Sequence, residues 1–122
     1  MILIRHAWAG DRAEWEGDDR LRPLDERGRK QAKGLVEKLA DFEIERILSS
    51  PYDRCVQTVE PLARARGLEI ELADELGEDR QLADGVQLAE SLKGQPVAIC
   101  VHGGHSEELV GQHLKKGKWL EA

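Results

Sequence analysis

The sequence predicts an α/β fold in which helices cover both faces of a mostly parallel central sheet, a three-layer αβα arrangement. Short, continuous apolar runs with β-branched residues are typical of buried strands, and they alternate here with segments of helical periodicity. Alternation at these lengths implies crossover connections between parallel strands. With 122 residues and no repeat, low-complexity tract or linker, we expect residues 1–122 to form one domain.

The strands are predicted from apolar runs. Residues 1–4 and 96–101 are the strongest candidates, because both are short, continuous and apolar. Weaker runs predict strands at 44–48 and 68–72, and a short strand is expected at 118–121. The segment 10–23 is rich in charged residues and glycine and is expected to be a loop.

The first helix is predicted after Asp25, which can cap its N-terminus. Its apolar residues fall at the i, i+3, i+4 and i+7 spacing of one helix face: Ala32, Leu35, Val36 and Leu39. Two further helices are expected at 81–92 and 106–115.

The second helix is predicted to start with Ser50 as cap and Pro51 in the first turn. Pro61 should kink or restart it, and Gly67 should end it. Its buried stripe is predicted to contain Cys55, Val56, Val59, Leu62 and Ala63.

Composition excludes several classes of function. The net charge is −6 with both signs interleaved, which disfavours a nucleic-acid surface because phosphate backbones require a concentrated basic face. No run of 18 apolar residues and no signal-like leader occurs, so we expect a cytoplasmic protein without membrane contact. Cys55 and Cys100 lie in apolar runs and are expected to be buried free thiols rather than a disulfide.

Polar residues follow three of the predicted strands at the point where each ends. Arg5 and His6 follow the first strand, Ser49, Ser50 and the helix bearing Arg54 follow the strand at 44–48, and His102-Gly103-Gly104-His105 follow the strand at 96–101. Because ligands of open α/β sheets bind beyond the carboxyl ends of the strands, these side chains should converge.

A cluster of arginine and histidine side chains at the strand ends is suited to binding a compact dianion such as phosphate. Arginine matches phosphate oxygens with its planar fork, and a neutral histidine can attack phosphorus. The residues therefore predict phosphoryl transfer. His102 and His105 could instead bind a metal ion, but no further ligand motif accompanies them, so we expect neither a metal nor another cofactor.

Taken together, the motifs LIRHAWAG, DDRLRPLDERGRKQA, ILSSPYDRCVQTVEPLA and AICVHGGH resemble the histidine phosphatase superfamily, the phosphoglycerate mutase-like or RHG branch. Ala7 after Arg5-His6, together with the short chain, is most similar to the SixA-type phosphohistidine phosphatases. The phosphatase domain attached to some actinobacterial MutT-type hydrolases is also similar. The resemblance implies a phosphoglycerate mutase-like fold and a phosphohistidine intermediate.

Carried over residue by residue, the resemblance implies that His6 is the nucleophile and that Arg5, Arg54 and His102 hold the phosphate. Gly103 and His105 are expected to complete the substrate site. The family's proton donor corresponds to Glu78 in Leu76-Gly77-Glu78, with Glu75 as the alternative. The surrounding acidic run equally fits a solvated loop.

The implied activity is that of a metal-independent phosphatase acting on a protein phosphohistidine or a small phosphomonoester. The short chain lacks an insertion that could cover the site, which favours a phosphorylated side chain of another protein over an enclosed metabolite. The alternatives are a nucleotide or polyphosphate phosphohydrolase of the same family, a non-catalytic phosphate-binding module, and a metal hydrolase built on His102 and His105.

Overall fold

A computed structural model describes residues 1–122 and contains a five-stranded sheet. The strands are β1 (Ile2–Arg5), β2 (Arg46–Ser49), β3 (Ile70–Leu72), β4 (Val97–Val101) and β5 (Trp119–Glu121), in the order β3-β2-β4-β1-β5. β1, β2, β3 and β4 are parallel, and β5 pairs antiparallel with β1. The predicted mostly parallel sheet is confirmed.

Four helices cover the sheet: α1 (Glu26–Lys38), α2 (Asp53–Arg66), α3 (Leu82–Leu92) and α4 (Gly103–Val110). α1 and α2 pack on the face that carries Ile2 and Ile4, while α3 and α4 pack on the face that carries Leu3. Successive side chains of a strand point to opposite faces, so both faces of β1 are buried. The three-layer αβα prediction is therefore confirmed.

The register brings three strand ends level. Arg5 of β1 lies opposite Val101 of β4, and Ser49 of β2 lies opposite Cys100. The residues that follow these strands therefore emerge side by side at one edge of the sheet, as the sequence predicts.

The predicted start of α2 at Ser50 and Pro51 is wrong. The helix begins at Asp53 after Tyr52, and the Ser50 side chain instead lies 2.9 Å from His102 Nε2. The helix does not restart at Pro61, because α2 is continuous from Asp53 to Arg66, and it ends as predicted at Gly67, which is left-handed. Val59 and Leu62 are fully buried around Pro61, and this packing maintains the helix.

α4 starts three residues earlier than predicted and ends five residues earlier. It runs from Gly103 to Val110 and stops at Gly111, whose φ of 67° is the left-handed conformation that favours glycine at a helix end. His105 therefore lies inside the helix, and His113 lies in the segment that follows it.

Two further expectations concern the cysteines and the membrane. Cys55 and Cys100 are both free and fully buried, as predicted. None of the helices combines the length and the apolar character that crossing a bilayer requires.

Candidate active site

Four side chains meet at the carboxyl edge of the sheet. Arg5 and His6 follow β1, Arg54 comes from the first turn of α2, and His102 precedes α4. We call these four residues the floor. Arg5 and His6 line a cavity of about 760 Å³ together with Gly103 and Glu78. Arg54 and His102 are buried behind this wall, and both lie against Glu78. The predicted convergence of these residues on one site is thus observed.

His6 is held as a neutral imidazole with one free nitrogen. Its Nδ1 lies 2.8 Å from the carbonyl oxygen of Ala7, and because a carbonyl only accepts, Nδ1 carries the proton. Burial is the largest cause that lowers the pKa of His6 to about 3; the Ala7 contact opposes it, and the charges of His102, Arg54 and Arg5 support it. Nε2 therefore presents a lone pair at neutral pH.

Thr58 of α2 fixes the backbone beside the nucleophile. Its hydroxyl accepts a hydrogen bond from Ala7 N at 2.9 Å and donates one to Arg54 O at 2.6 Å. The buried Thr58 side chain thus connects the backbone of Ala7, which follows His6, to the backbone of Arg54. Thr58 was not among the site residues predicted from the sequence, although its position one turn after Arg54 was a usable signal.

Both floor arginines have unused buried donors. Arg54 is fully buried, and its Nη1 donates to the Asp19 carbonyl at 2.9 Å. Its Nη2 lies 3.0 Å from Asp19 Oδ2 without hydrogen-bond alignment, and its Nε has no partner. Arg5 donates from Nη1 to Leu114 O at 2.7 Å, while its Nε is unpartnered. Buried donors without partners are costly unless an anion binds there.

Gly103 leaves room for the Arg5 guanidinium beside the backbone of α4. A Cβ at position 103 would lie only 3.0 Å from the central carbon of the Arg5 guanidinium. Glycine at this helix start therefore lets the arginine lie against the backbone.

His102 carries a charge at neutral pH. Burial alone would lower its pKa, but Cys55 and Glu78 outweigh burial and raise it to about 9. Its Nδ1 lies 3.2 Å from Glu78 Oε2, and its Nε2 lies 2.9 Å from Ser50 Oγ and 3.6 Å from Cys55 Sγ. The two floor histidines therefore differ in charge: His6 is neutral and His102 is an imidazolium.

Glu78 covers the floor as a carboxylate. It contacts His102, lies 3.5 Å from Arg54 Nη2 and forms an ion pair with Arg12. The hydrogen bond from His102 lowers the pKa of Glu78 to about 2, burial opposes this, and the charges of Arg12 and Arg54 support it. An ionised carboxyl suits a proton acceptor better than the proton donor predicted from sequence. The alternative acid, Glu75, forms no ion pair with the floor.

Glu78 belongs to a second part of the site, which we call the loop wall. It comprises the segments 10–22 and 74–80, joined by the ion pairs Arg12–Glu78 and Arg20–Asp79. Asp19, in the first segment, also contacts Arg54. The sequence analysis identified 10–23 as a loop but did not identify Arg12 or Asp19.

His105 does not line the cavity. It is buried in α4 against Gly85 of α3, where a Cβ would collide with its ring, and neither ring nitrogen has a partner. Burial, followed by the charge of His102, lowers its pKa to about 4. The ring centroids of His102 and His105 are 6.3 Å apart. No group of three or more His, Cys, Asp and Glu side chains is arranged as a metal site.

Most of the chain matches a protein-family model. The model described as the histidine phosphatase superfamily (branch 1) matches residues 1–93, which include Arg5, His6, Arg54 and Glu78. The matched range covers more than half of the chain.

Individual relatives are phosphatases. The chain is 38% identical over 109 residues to the 8-oxo-(d)GTP phosphatase of Mycolicibacterium smegmatis, a match that covers 84% of this chain and 34% of that protein. The chain thus spans about a third of that relative's length. The protein histidine phosphatase SixA in complex with tungstate superposes with a TM-score of 0.72 and 26% identity, covering 90% of this chain and 73% of that one. A mycobacterial glucosyl-3-phosphoglycerate phosphatase shares the fold, with a TM-score of 0.78, 18% identity and coverage of 98% and 87%.

Proposed function

The chain belongs to the histidine phosphatase superfamily, and from that membership we propose that it is a metal-independent phosphatase in which His6 accepts the phosphoryl group. The observation that carries the proposal is the state of His6. Its Nδ1 proton is committed to Ala7, its pKa of about 3 keeps the ring neutral, and it lines the cavity beside Arg5. A neutral imidazole among cations is a nucleophile directed at an anionic substrate.

In the first step, His6 Nε2 attacks the phosphorus and the bond from phosphorus to the leaving atom breaks, an oxygen in a phosphoester or a nitrogen in a phosphohistidine. The electron pair leaves with that atom, and Arg5, Arg54 and the His102 imidazolium stabilise the charge on the transferring group. These cations are fixed before the reaction, so they need not reorganise during it. Arg54 and His102 supply positive charge that their burial makes more effective.

In the second step, water attacks the phosphohistidine and the nitrogen–phosphorus bond breaks, which returns the electron pair to His6 and releases phosphate. Glu78 is ionised and is placed between Arg54 and His102, so it can accept the proton of the attacking water. The first step then receives no proton from Glu78, which favours substrates whose leaving group departs readily.

The names of the relatives indicate classes of substrate for this chain. A protein phosphohistidine or a small phosphorylated metabolite fits the chemistry proposed for His6, and the names of the relatives include both kinds of substrate. SixA supports the phosphohistidine proposal, and its complex with tungstate supports an oxyanion site in this fold.

A trapping experiment tests the proposed function. The protein is incubated with p-nitrophenyl phosphate in the presence of a chelator and quenched in base. We expect a phosphate adduct that is stable in base and labile in acid, located on the peptide that contains His6. His6→Ala should lose the adduct, while the control Lys38→Ala, at an exposed residue in the last turn of α1, should keep it.

Three outcomes would contradict the proposal. Turnover without an adduct would exclude His6 as the nucleophile. Absence of both turnover and adduct in the folded protein would favour the non-catalytic phosphate-binding module. Activity lost in chelator and restored by zinc would instead support a metal hydrolase.

A further inference from the structure

The cavity extends past the floor to three residues that we call the indole cluster: Trp8, Arg27 and Lys116. All three line the cavity. The Arg27 guanidinium and the Lys116 ammonium each lie 4.3 Å from the centroid of the Trp8 ring. Two cations therefore converge on one aromatic side chain beside the phosphate pocket.

Helix α1 holds the indole cluster in place. The Gln31 side chain accepts a hydrogen bond from Trp8 N at 3.1 Å and donates one to Lys116 O at 3.0 Å, so it connects the two backbones. A Cβ at Gly28 would collide with the Trp8 carbonyl, so glycine lets the first turn of α1 pack against Trp8. Arg27, the residue before Gly28, thereby lies beside the indole.

The positive charge of this cluster is not neutralised. Neither Arg27 nor Lys116 takes part in any of the ion pairs. Three carboxylates line the cavity, and each is engaged elsewhere. Asp11 accepts a hydrogen bond from Ala13 N, Asp25 accepts hydrogen bonds from Gly10 N and Gly28 N, and Glu78 contacts Arg12 and the floor. The cluster therefore lacks an anion of its own.

The cluster also lies near the floor. Burial lowers the pKa of Lys116, and the charges of Arg5, Arg22 and Arg12 lower it further, while Asp25 opposes them. Arg5 is a floor residue, so the ammonium and the phosphate pocket share one electrostatic environment. A substrate with a single phosphate would leave the indole cluster without a counter-charge.

We propose that the indole cluster binds a second phosphate, and that the substrate class is a phosphoanhydride with a terminal diphosphate, such as a nucleoside diphosphate. The proposal rests on the proposed function, since the floor takes the terminal phosphate. A second phosphate site at the indole cluster favours a small anionic substrate over a phosphorylated protein side chain.

The chemistry of Glu78 agrees with this substrate class. His6 Nε2 attacks the terminal phosphorus, the bond to the bridging oxygen breaks, and the second phosphate leaves with the electron pair. A phosphate leaves as an anion and requires no proton in that step. Arg27 and Lys116 would stabilise the charge that develops on the departing group.

A binding experiment tests the subsite without turnover. Methylenediphosphonate, which carries two phosphonates at the anhydride spacing, and methylphosphonate are titrated into the protein by calorimetry. We expect the wild-type protein to bind the diphosphonate at least about tenfold more tightly, the size of one charge-assisted hydrogen bond. Arg27→Gln and Lys116→Gln should each reduce this preference, and the double variant should abolish it.

Matched controls separate the subsite from general charge. Lys33→Gln, on the same helix, and Lys115→Gln, beside Lys116, remove the same charge outside the cavity and should retain the preference. Arg27→Lys and Lys116→Arg keep the charge and should retain most of it. Equal binding of the two ligands by the wild type, or a preference that survives the double variant, would overturn the subsite.

A kinetic comparison tests the substrate class. The ratio of kcat/KM for ADP to that for phenyl phosphate should fall about tenfold in each glutamine variant, as expected for one lost contact to a charged group. An unchanged ratio would overturn the assignment. If the wild-type protein forms no adduct on His6, the proposed function is contradicted. The calorimetric comparison of the two phosphonates would still show whether the indole cluster binds a second phosphate.

Discussion

The floor and the loop wall meet at the same site but are built differently. Arg54, in the floor, is fully buried, and its backbone carbonyl accepts a hydrogen bond from the buried Thr58 hydroxyl. In the loop wall, the side chains of Arg12 and Glu78 are 60% and 37% exposed. Buried contacts are fixed, whereas exposed ion pairs contribute little stability and weaken with salt. The comparison indicates that the floor supplies preorganised charge and that the loop wall supplies a carboxylate that can move.

The largest effect should come from the floor. Arg54→Met keeps the volume of the side chain but removes its charge, and we expect kcat/KM for p-nitrophenyl phosphate to fall about a thousandfold, the loss seen when a preorganised electrostatic contact is removed. Arg64→Met, on an exposed part of the same helix, is the matched control and should retain activity. A loss below tenfold in a folded Arg54→Met protein would place the main phosphate contacts elsewhere.

The same comparison separates what the sequence could predict from what it could not. Arg5, His6 and His102 were predicted because apolar runs locate strands, and strand ends locate the site. Arg12 and Asp19 were missed because their contacts depend on loop geometry. Arg12 and Glu78 are separated by 66 positions in the chain. No local periodicity encodes such a pairing.

Helix ends were the other source of error. Ser50 is a good cap by residue type, and its hydroxyl accepts a hydrogen bond from Tyr52 N at 3.3 Å, but it also lies beside His102 and the helix begins only at Asp53. His105 was expected at the substrate site because α4 was predicted to start at Ser106. The observed start at Gly103 turns its ring into the interior instead.

The next largest effect should come from Glu78 in the loop wall. Glu78→Gln removes the proton acceptor, and we expect kcat to fall about a hundredfold, the usual contribution of a general base. Because the second step is the one slowed, the His6 adduct should accumulate. Glu75→Gln is the control and should change neither quantity. Undiminished hydrolysis by Glu78→Gln would show that this carboxylate is not the base.

The same variant tests the charge of His102. Glu78 helps to raise the pKa of His102 to about 9, so Glu78→Gln should lower it, as measured by NMR titration of the imidazole protons. The raised pKa stabilises the fold below about pH 6.5, the ordinary pKa of histidine, and this contribution is lost as the pH rises toward 9. His6 should show no titration between about pH 5 and 8 in either protein.

A smaller effect is expected from Thr58, which supports the floor without touching substrate. Thr58→Val leaves the buried Ala7 N–H without its acceptor, which should cost about 1–3 kcal/mol in the free energy of unfolding. We expect kcat to fall about tenfold because the backbone after His6 is no longer fixed. Thr58→Ser retains the hydroxyl and should restore kcat. Equal kcat values for the two variants would exclude a positioning role.

The smallest effect should come from the ion pair Arg20–Asp79, which joins the two segments of the loop wall at its exposed side. Exposed pairs contribute about 0–1 kcal/mol, so Arg20→Gln should change KM less than about threefold and leave the melting temperature nearly unchanged. Any change should disappear at high salt, where the pair is already screened. Arg80→Gln, an exposed arginine in the same wall, is the control. A tenfold change that persists at high salt would show that the loop wall is as firmly fixed as the floor, and the distinction between the two regions would then be wrong.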